Sequence, residues 1–203
     1  MKRLVWLYLL LPLLLWPISF ILLRQYFAYA MLASSFLLAL LTVLAYKKVV
    51  FVKGRGLLLP VVLGIVGAIA LYLLFWVGGL SLYSLGFYSG IVAIYSMIGS
   101  QGGGWVLAVG LAFIAIFEEI YWRYGLMRLF GEMDGRLARF SWLVAAFYYG
   151  AVHLLTLNFI LAGAALFVGL VTAWIANKKG VLASIITHIV WIELIVVLFP
   201  IRF

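Results

Sequence analysis

Long apolar runs, separated by short charged stretches, constrain the fold of this chain more than any other feature. A helix that crosses a bilayer needs about 20 mostly apolar residues. Hydrophobic residues make up 69% of the 203 residues and charged residues only 9%, whereas soluble domains average about 45–50% and about 25%. This composition excludes a soluble globular domain and a disordered chain. We predict an all-α, polytopic membrane bundle of about seven helices, with these spans: Leu4–Leu23, Tyr26–Tyr46, Gly56–Leu80, Trp105–Phe130, Phe140–Leu157, Phe159–Asn177 and Val181–Phe199.

The segment Ser81–Met97 is apolar but is interrupted by serine and glycine. It could form an eighth span, a re-entrant segment or an interfacial helix. Lysine and arginine collect in cytoplasmic loops. Seven spans with the N-terminus inside put twelve of these residues inside and two outside, whereas an eighth span gives seven on each side. We therefore expect seven crossings, with the N-terminus cytoplasmic and the C-terminus outside. Residues 1–203 are expected to form one membrane domain, of which residues 1–80 supply three N-terminal helices.

The rare residue types exclude several kinds of site. The chain has no cysteine and only one aspartate, Asp134, and it lacks an H-E-x-x-H run. Cysteine nucleophiles, paired catalytic aspartates and helical zinc-protease motifs are therefore excluded. The net charge of +9 follows from the bias of the inner loops and suits a lipid bilayer with an anionic surface. We expect no nucleic-acid partner.

Five ionisable residues lie within the apolar runs, where charge is costly and commonly marks a cavity or a pathway. The alternative is that they are polar contacts that hold helices together. We favour a functional site because so many occur in the last predicted helices. These residues are Glu118, Glu119, His153, His188 and Glu193.

Two adjacent glutamates in one helical run are expected to have different functions. The run is Phe117-Glu-Glu-Ile-Tyr-Trp-Arg123. Residues four apart share a helix face, so Glu119 can pair with Arg123. Glu118 is rotated by about 100° and has no partner within its own helix. An unpaired carboxylate in an apolar site holds a proton more tightly, which is a property of general bases that work near neutral pH. We predict that Glu118 is the base and that the ion pair supports it.

The two histidines follow on later helices. Tyr149 and His153 are four residues apart and share a face, and Gly150 between them permits close approach of another helix. His188 has Trp191 three residues above it, whereas Glu193 is five residues on and faces elsewhere. At 1.5 Å per residue, Glu119, His153 and His188 all fall in the middle of the bilayer, so one shared cavity is geometrically feasible.

The order E-E-x-x-x-R, then aromatic-x-x-x-H, then a second histidine resembles the CPBP family of intramembrane proteases, also called Abi. This family includes the CAAX prenyl endopeptidases and bacterial enzymes linked to bacteriocin processing and immunity. The resemblance covers about residues 105–199, which would be the catalytic core. It implies an intramembrane endopeptidase in a prokaryotic cytoplasmic membrane. The substrate would be a membrane-associated protein or peptide, either prenylated, bacteriocin-like or a C-terminal sorting segment.

The resemblance also assigns roles to these residues. Glu118 would activate the attacking water, His153 would hold that water or share its proton, and His188 would stabilise the oxyanion. Glu119 and Arg123 would orient the site. One departure matters, since the family has Asn or Asp four residues after the second histidine and this chain has Ile192. Three residues could replace the missing oxyanion donor: Trp191, Asn158 and Tyr149. Glu193 is a further candidate for a position behind the site.

Three points stay open at the level of sequence. No metal or other cofactor is expected, although two histidines and a carboxylate could bind zinc. A catalytically weak or inactive binding or immunity module is the main alternative function, and a proton-coupled transporter is a third. The oligomeric state is undetermined, because Gly163, Gly169 and their neighbouring alanines could pack within one chain or between chains.

Overall fold

A computed structural model describes residues 2–133 and 135–203 of the chain. These residues form helices and connecting turns without any strand. Asp134, the single aspartate, lies outside the described residues. The α-helices are α1 (Lys2–Pro17), α2 (Phe27–Tyr46), α3 (Leu58–Ser84), α4 (Ser89–Gly99), α5 (Trp105–Glu119), α6 (Met127–Met133), α7 (Gly135–His153), α8 (Phe159–Lys179) and α9 (Val181–Ile192).

Three of these helices continue as π-helical turns, in which the helix is locally widened. The turns are Ile18–Leu22 after α1, Ile120–Leu126 after α5, and Glu193–Leu198 after α9. Such turns are rare and often lie at functional sites. The turn after α5 begins at the residue that follows the two glutamates.

The predicted polytopic helical bundle is confirmed. Within the described residues, six helical segments are long and apolar enough to cross a membrane. The seventh predicted span, Phe140–Leu157, is not among these six. The run predicted as Phe140–Leu157 is helix α7, which starts earlier, at Gly135, and ends at His153. The first turns of α7 carry two arginines, which lie outside the predicted apolar run. The mean hydropathy of α7 is therefore lower than that of the six helical segments. The orientation of the bundle stays a prediction.

The ambiguous segment Ser81–Met97 does not form a span of its own. Helix α3 extends to Ser84, and α4 has only 11 residues, which is too short to cross a bilayer of about 30 Å. Two tyrosines, one in α4 and one directly before it, bind the C-terminal segment instead. The Tyr95 hydroxyl donates to the carbonyl of Ile195 (2.8 Å), and Tyr88 donates to the carbonyl of Ile201 (3.0 Å).

Helices α7 and α8 pack closely at Gly150, as the sequence predicted. A Cβ at Gly150 would lie 2.9 Å from the Cβ of Leu166 and 3.2 Å from its Cα. A Cβ at Gly169 would lie 3.1 Å from the carbonyl oxygen of Ala146. Both glycines thus serve contact within the chain, and they fix the height of Tyr149 and His153 against α8.

The core of the bundle is rich in aromatic side chains from α1, the π turn after α5, and α7. The Tyr8 and Tyr121 rings stack with centroids 5.3 Å apart. Pro12 has no N–H, so the carbonyl of Tyr8 lacks its usual helical donor. The hydroxyl of Tyr121 donates to that carbonyl. A side chain from another helix therefore satisfies the polar group that the proline leaves free.

We expect Tyr121→Phe to destabilise the protein by about 1–3 kcal/mol, because a buried carbonyl loses the side-chain donor that replaces the N–H missing at Pro12. Thermal unfolding in detergent measures the loss. Tyr29→Phe is the control, since Tyr29 is 67% exposed. Pro12→Ala restores an N–H for the Tyr8 carbonyl, so Tyr121→Phe should cost less in that background. An equal loss in both backgrounds would contradict this explanation.

Candidate active site

The two glutamates lie at the C-terminal end of α5, and both are buried. Glu118 is 4% exposed and Glu119 is 0% exposed. Adjacent residues point in directions about 100° apart on a helix, so each carboxylate meets different neighbours. Glu119 contacts α9 and its own π turn, whereas Glu118 contacts α7.

Glu119 has two basic partners. Its Oε1 lies 3.0 Å from Nδ1 of His188, and its Oε2 lies 3.4 Å from Nε of Arg123. The first contact is a hydrogen bond, in which the carboxylate accepts from Nδ1–H. The second is an ionic contact only, because Oε2 has no hydrogen-bond donor within the described residues. The ion pair predicted from the four-residue spacing is present, and His188 is a second partner that the sequence did not indicate.

Arg123 joins three helices. Its Nε donates to Oγ1 of Thr172 on α8 at 2.7 Å, and its Cζ lies 4.6 Å from the centre of the Tyr149 ring on α7. Its two terminal nitrogens have no hydrogen-bond partner in the described part of the chain. Buried water commonly fills such a role. Sequence reasoning missed Thr172, because one threonine in an apolar helix gives no distinct signal.

Among the described residues, Glu118 has one hydrogen-bond partner, and that partner is neutral. The hydroxyl of Tyr149 donates to its Oε2 at 2.8 Å. The structure therefore distinguishes the two carboxylates: Glu119 lies between an arginine and a histidine, and Glu118 lies beside a tyrosine. The separate directions and partners of the two carboxylates agree with the helix geometry, and their roles stay predictions.

His153 is linked to Glu118 through Tyr149. The His153 Nδ1 lies 2.8 Å from the backbone carbonyl oxygen of Tyr149, and the two rings are 4.5 Å apart. The other ring nitrogen, Nε2, accepts a hydrogen bond from Nε1 of Trp16 at 3.1 Å. Trp16 belongs to α1 and was missed by sequence reasoning, because a tryptophan in an apolar helix looks like any core residue.

The remaining candidates take up different positions. Asn158 caps α8: its Oδ1 accepts from the amide of Leu161 (3.0 Å), and its Nδ2 donates to the carbonyl of Gly90 (3.0 Å). Asparagine before an apolar run is a common helix cap, and with both polar groups so engaged we set Asn158 aside as an oxyanion donor. Glu193 starts the last π turn and hydrogen-bonds to none of the site residues, and its Oε1 is buried without a partner among the described residues.

Trp191 lies beside His188. Its ring centre lies 5.9 Å from that of His188. Its Nε1 is buried and has no hydrogen-bond partner in the described residues. An indole N–H can only donate, so this group is available to an acceptor beside His188.

A metal site would require several ligand side chains to converge on one point. In residues 2–133 and 135–203, no three His, Asp or Glu side chains converge closely enough to ligate one metal ion. Glu119 Oε1 and His153 Nε2, which are potential ligand atoms, already accept hydrogen bonds. That no cofactor is needed stays a prediction.

We expect Arg123→Ala to cost about 3–5 kcal/mol, because it leaves the buried Glu119 carboxylate with one partner fewer. Membrane yield and thermal unfolding in detergent measure the effect. Arg128→Ala is a matched control, since Arg128 forms the same four-residue pair with Glu132 (2.8 Å) at an exposed position. Exposed pairs contribute about 0–1 kcal/mol. Similar losses in the two variants would show that burial does not govern the pair.

Comparison with known proteins agrees with this site. Residues 100–192, a little under half of the chain, match a family model that is described as type II CAAX prenyl endopeptidase Rce1-like. The matched segment holds both glutamates, Arg123 and both histidines, whereas Trp16 lies outside it. No curated protein and no solved structure matches the chain. The match confirms the resemblance that the motifs indicated, and over residues 100–192 the chain is similar to the type II CAAX prenyl endopeptidases.

Proposed function

We propose that the protein is an endopeptidase that cleaves a membrane-associated protein or peptide with water activated by Glu118. The observation that carries the proposal is the contrast between neighbouring carboxylates. Glu119 is held by His188 and Arg123, whereas Glu118 is held only by a neutral hydroxyl. Glu118 is therefore the carboxylate that can exchange a proton without breaking an ion pair.

In the proposed reaction, Glu118 takes a proton from water as the water oxygen attacks the peptide carbonyl carbon. The carbonyl oxygen becomes an oxyanion in a tetrahedral intermediate. The C–N bond then breaks, and the proton held by Glu118 passes to the leaving nitrogen. The products are a carboxylic acid and an amine, between which a proton passes to give a carboxylate and an ammonium ion, and Glu118 returns to its starting state. No external oxidant or co-reactant is required.

His188 is the proposed oxyanion donor. Glu119 accepts a hydrogen bond from its Nδ1–H, and in the protonated imidazole the remaining Nε2–H is free to donate to the developing negative charge. A donor that is fixed in place before the reaction lowers the barrier without reorganisation. Glu119 thus acts on the reaction through His188, and Arg123 acts through Glu119.

Trp191 is the proposed second oxyanion donor, in place of the residue that Ile192 replaces. Its buried, unpartnered Nε1 beside His188 supports this choice over Asn158, whose amide is engaged in capping.

Trp191→Phe should lower kcat by about 10²–10³ with little change in KM, which is the usual effect of removing one oxyanion donor. Adding Ile192→Asn should restore part of the rate. Trp174→Phe, at a residue that is 48% exposed, is the control. An unchanged kcat in Trp191→Phe would remove Trp191 from the mechanism.

Glu118→Gln should lower cleavage by about 10²–10⁴, the contribution typical of a positioned general base, and leave the fold intact. Glutamine keeps an oxygen that accepts from Tyr149. The measurement compares peptide termini in membrane and secreted proteomes from cells that carry the wild type or the variant. Glu132→Gln, at an exposed ion pair, is the control.

A terminus that appears with the wild type and with Glu132→Gln, but not with Glu118→Gln, would identify both the substrate and the scissile bond. Full cleavage by Glu118→Gln at equal protein level would refute the assignment. The substrate classes in question are a prenylated tail, a bacteriocin-like peptide and a C-terminal sorting segment. One equivalent of bound zinc in active purified protein would refute the proposed metal-free mechanism.

One observation favours a second candidate function. Ile192 cannot donate a hydrogen bond where the family motif has Asn or Asp, which is expected of a member that binds a peptide without cutting it. If the protein is such a binding or immunity module, the wild type and the Glu118→Gln variant should give the same cellular phenotype. The proteome comparison therefore distinguishes the two functions.

A further inference from the structure

The first helix ends in a break that lies against His153. Helix α1 ends at Pro17, continues as the π turn Ile18–Leu22 and then narrows to a short 3₁₀ turn at Arg24–Tyr26. Two aromatic residues next to this break are buried against the His153 ring. Trp16 is 0% exposed with its ring 5.5 Å from the imidazole, and Phe20 is 9% exposed at 6.2 Å.

Both nitrogens of His153 are occupied. Since a carbonyl oxygen can only accept and an indole N–H can only donate, Nδ1 carries the proton toward Tyr149 O and Nε2 offers its lone pair to Trp16. The Tyr149 carbonyl is sufficient to fix this tautomer. The additional effect of Trp16 is to occupy the one lone pair that His153 could offer to water.

A cavity lies on the other side of Phe20. Its volume is about 870 Å³, and its wall includes Phe20, Arg24, Ile94, Thr156, Leu157 and Asn158. Thr156 is part of the turn that follows His153, and its hydroxyl donates to the His153 carbonyl at 2.8 Å. Most of this wall is apolar, and Arg24 supplies the charged group to which water can bind. Phe20 therefore both lines the cavity and covers His153.

We propose that Trp16 is a positioning residue that competes with water for Nε2 of His153, and that water reaches the site from this cavity when the Trp16–Phe20 segment moves. The inference rests on the proposed function together with the role that the family resemblance assigns to His153, which is to hold the attacking water or share its proton. It adds a residue from outside the family-matched segment. The break in α1 at Pro17 supplies the place where such a movement requires the fewest backbone hydrogen bonds to change.

Nitrogen NMR of histidine-labelled protein tests the contact directly, because the chain has only two histidines. His188→Gln assigns the two sets of signals. In the wild type, Nε2 of His153 should be unprotonated and hydrogen-bonded. Trp16→Phe keeps an aromatic ring against Trp122 but removes the donor, so this signal should move to the position of a free unprotonated nitrogen. Trp6→Phe, on the same helix at a residue that is 65% exposed, should change nothing.

Chemical modification tests the access of small molecules. Diethyl pyrocarbonate acylates unprotonated imidazole, and mass spectrometry reads each histidine separately. Trp16→Phe should raise the acylation rate of His153 about fivefold, the factor that corresponds to one neutral hydrogen bond of about 1 kcal/mol. Adding Ala93→Phe, which fills the cavity that Ala93 lines, should reverse the increase.

The rate of the cleavage identified above should also rise about fivefold in Trp16→Phe. A wild-type spectrum with a free or protonated Nε2 would overturn the contact, even if Trp16→Phe does not fold. Acylation that is insensitive to Ala93→Phe would overturn the route. A fall in cleavage would show that Trp16 supports His153 rather than blocking it. If Glu118→Gln cleaves normally while the NMR and acylation results hold, the proposed function fails and the Trp16 contact stands.

Discussion

The arrangement of this site depends on one buried carboxylate. Glu119 is fully buried, and charge in such a position is tolerated only where it is paired. Its partners come from two elements, Arg123 from the π turn after α5 and His188 from α9. Arg123 in turn contacts α7 and α8. Neutralising this one charge therefore brings four helices to a common point, and Glu118 is carried to that point as the adjacent residue.

Local geometry made half of this site predictable. The pairing of Glu119 with Arg123, the separate direction of Glu118 and the shared face of Tyr149 and His153 all follow from helix spacing. The contacts of Glu119 with His188 and of Glu118 with Tyr149 connect different helices, so no spacing along the chain reveals them. The resemblance to a known family supplied the roles of these residues, but it did not supply their partners.

The misplaced elements have physical reasons. Helix α7 begins before the apolar run because helical hydrogen bonding continues through residues that hydropathy excludes. Trp16 was not singled out because its donor is one atom on an otherwise apolar side chain. That Pro12 leaves the carbonyl of Tyr8 without its helical donor follows from the sequence. The tyrosine that satisfies this carbonyl could not be anticipated, since Tyr121 lies 113 residues after Tyr8.

The contacts of α1 set a limit on how far the protein can be shortened. The segment that matches the family starts at residue 100, which suggests that the preceding half is replaceable. Yet Tyr121 and His153, both within that segment, direct polar groups at α1. Removed from α1, these groups would face lipid, which offers them no hydrogen bonds. A transplanted core would therefore need a first helix with a donor and a free carbonyl at the matching heights, so the modular unit is larger than the family segment.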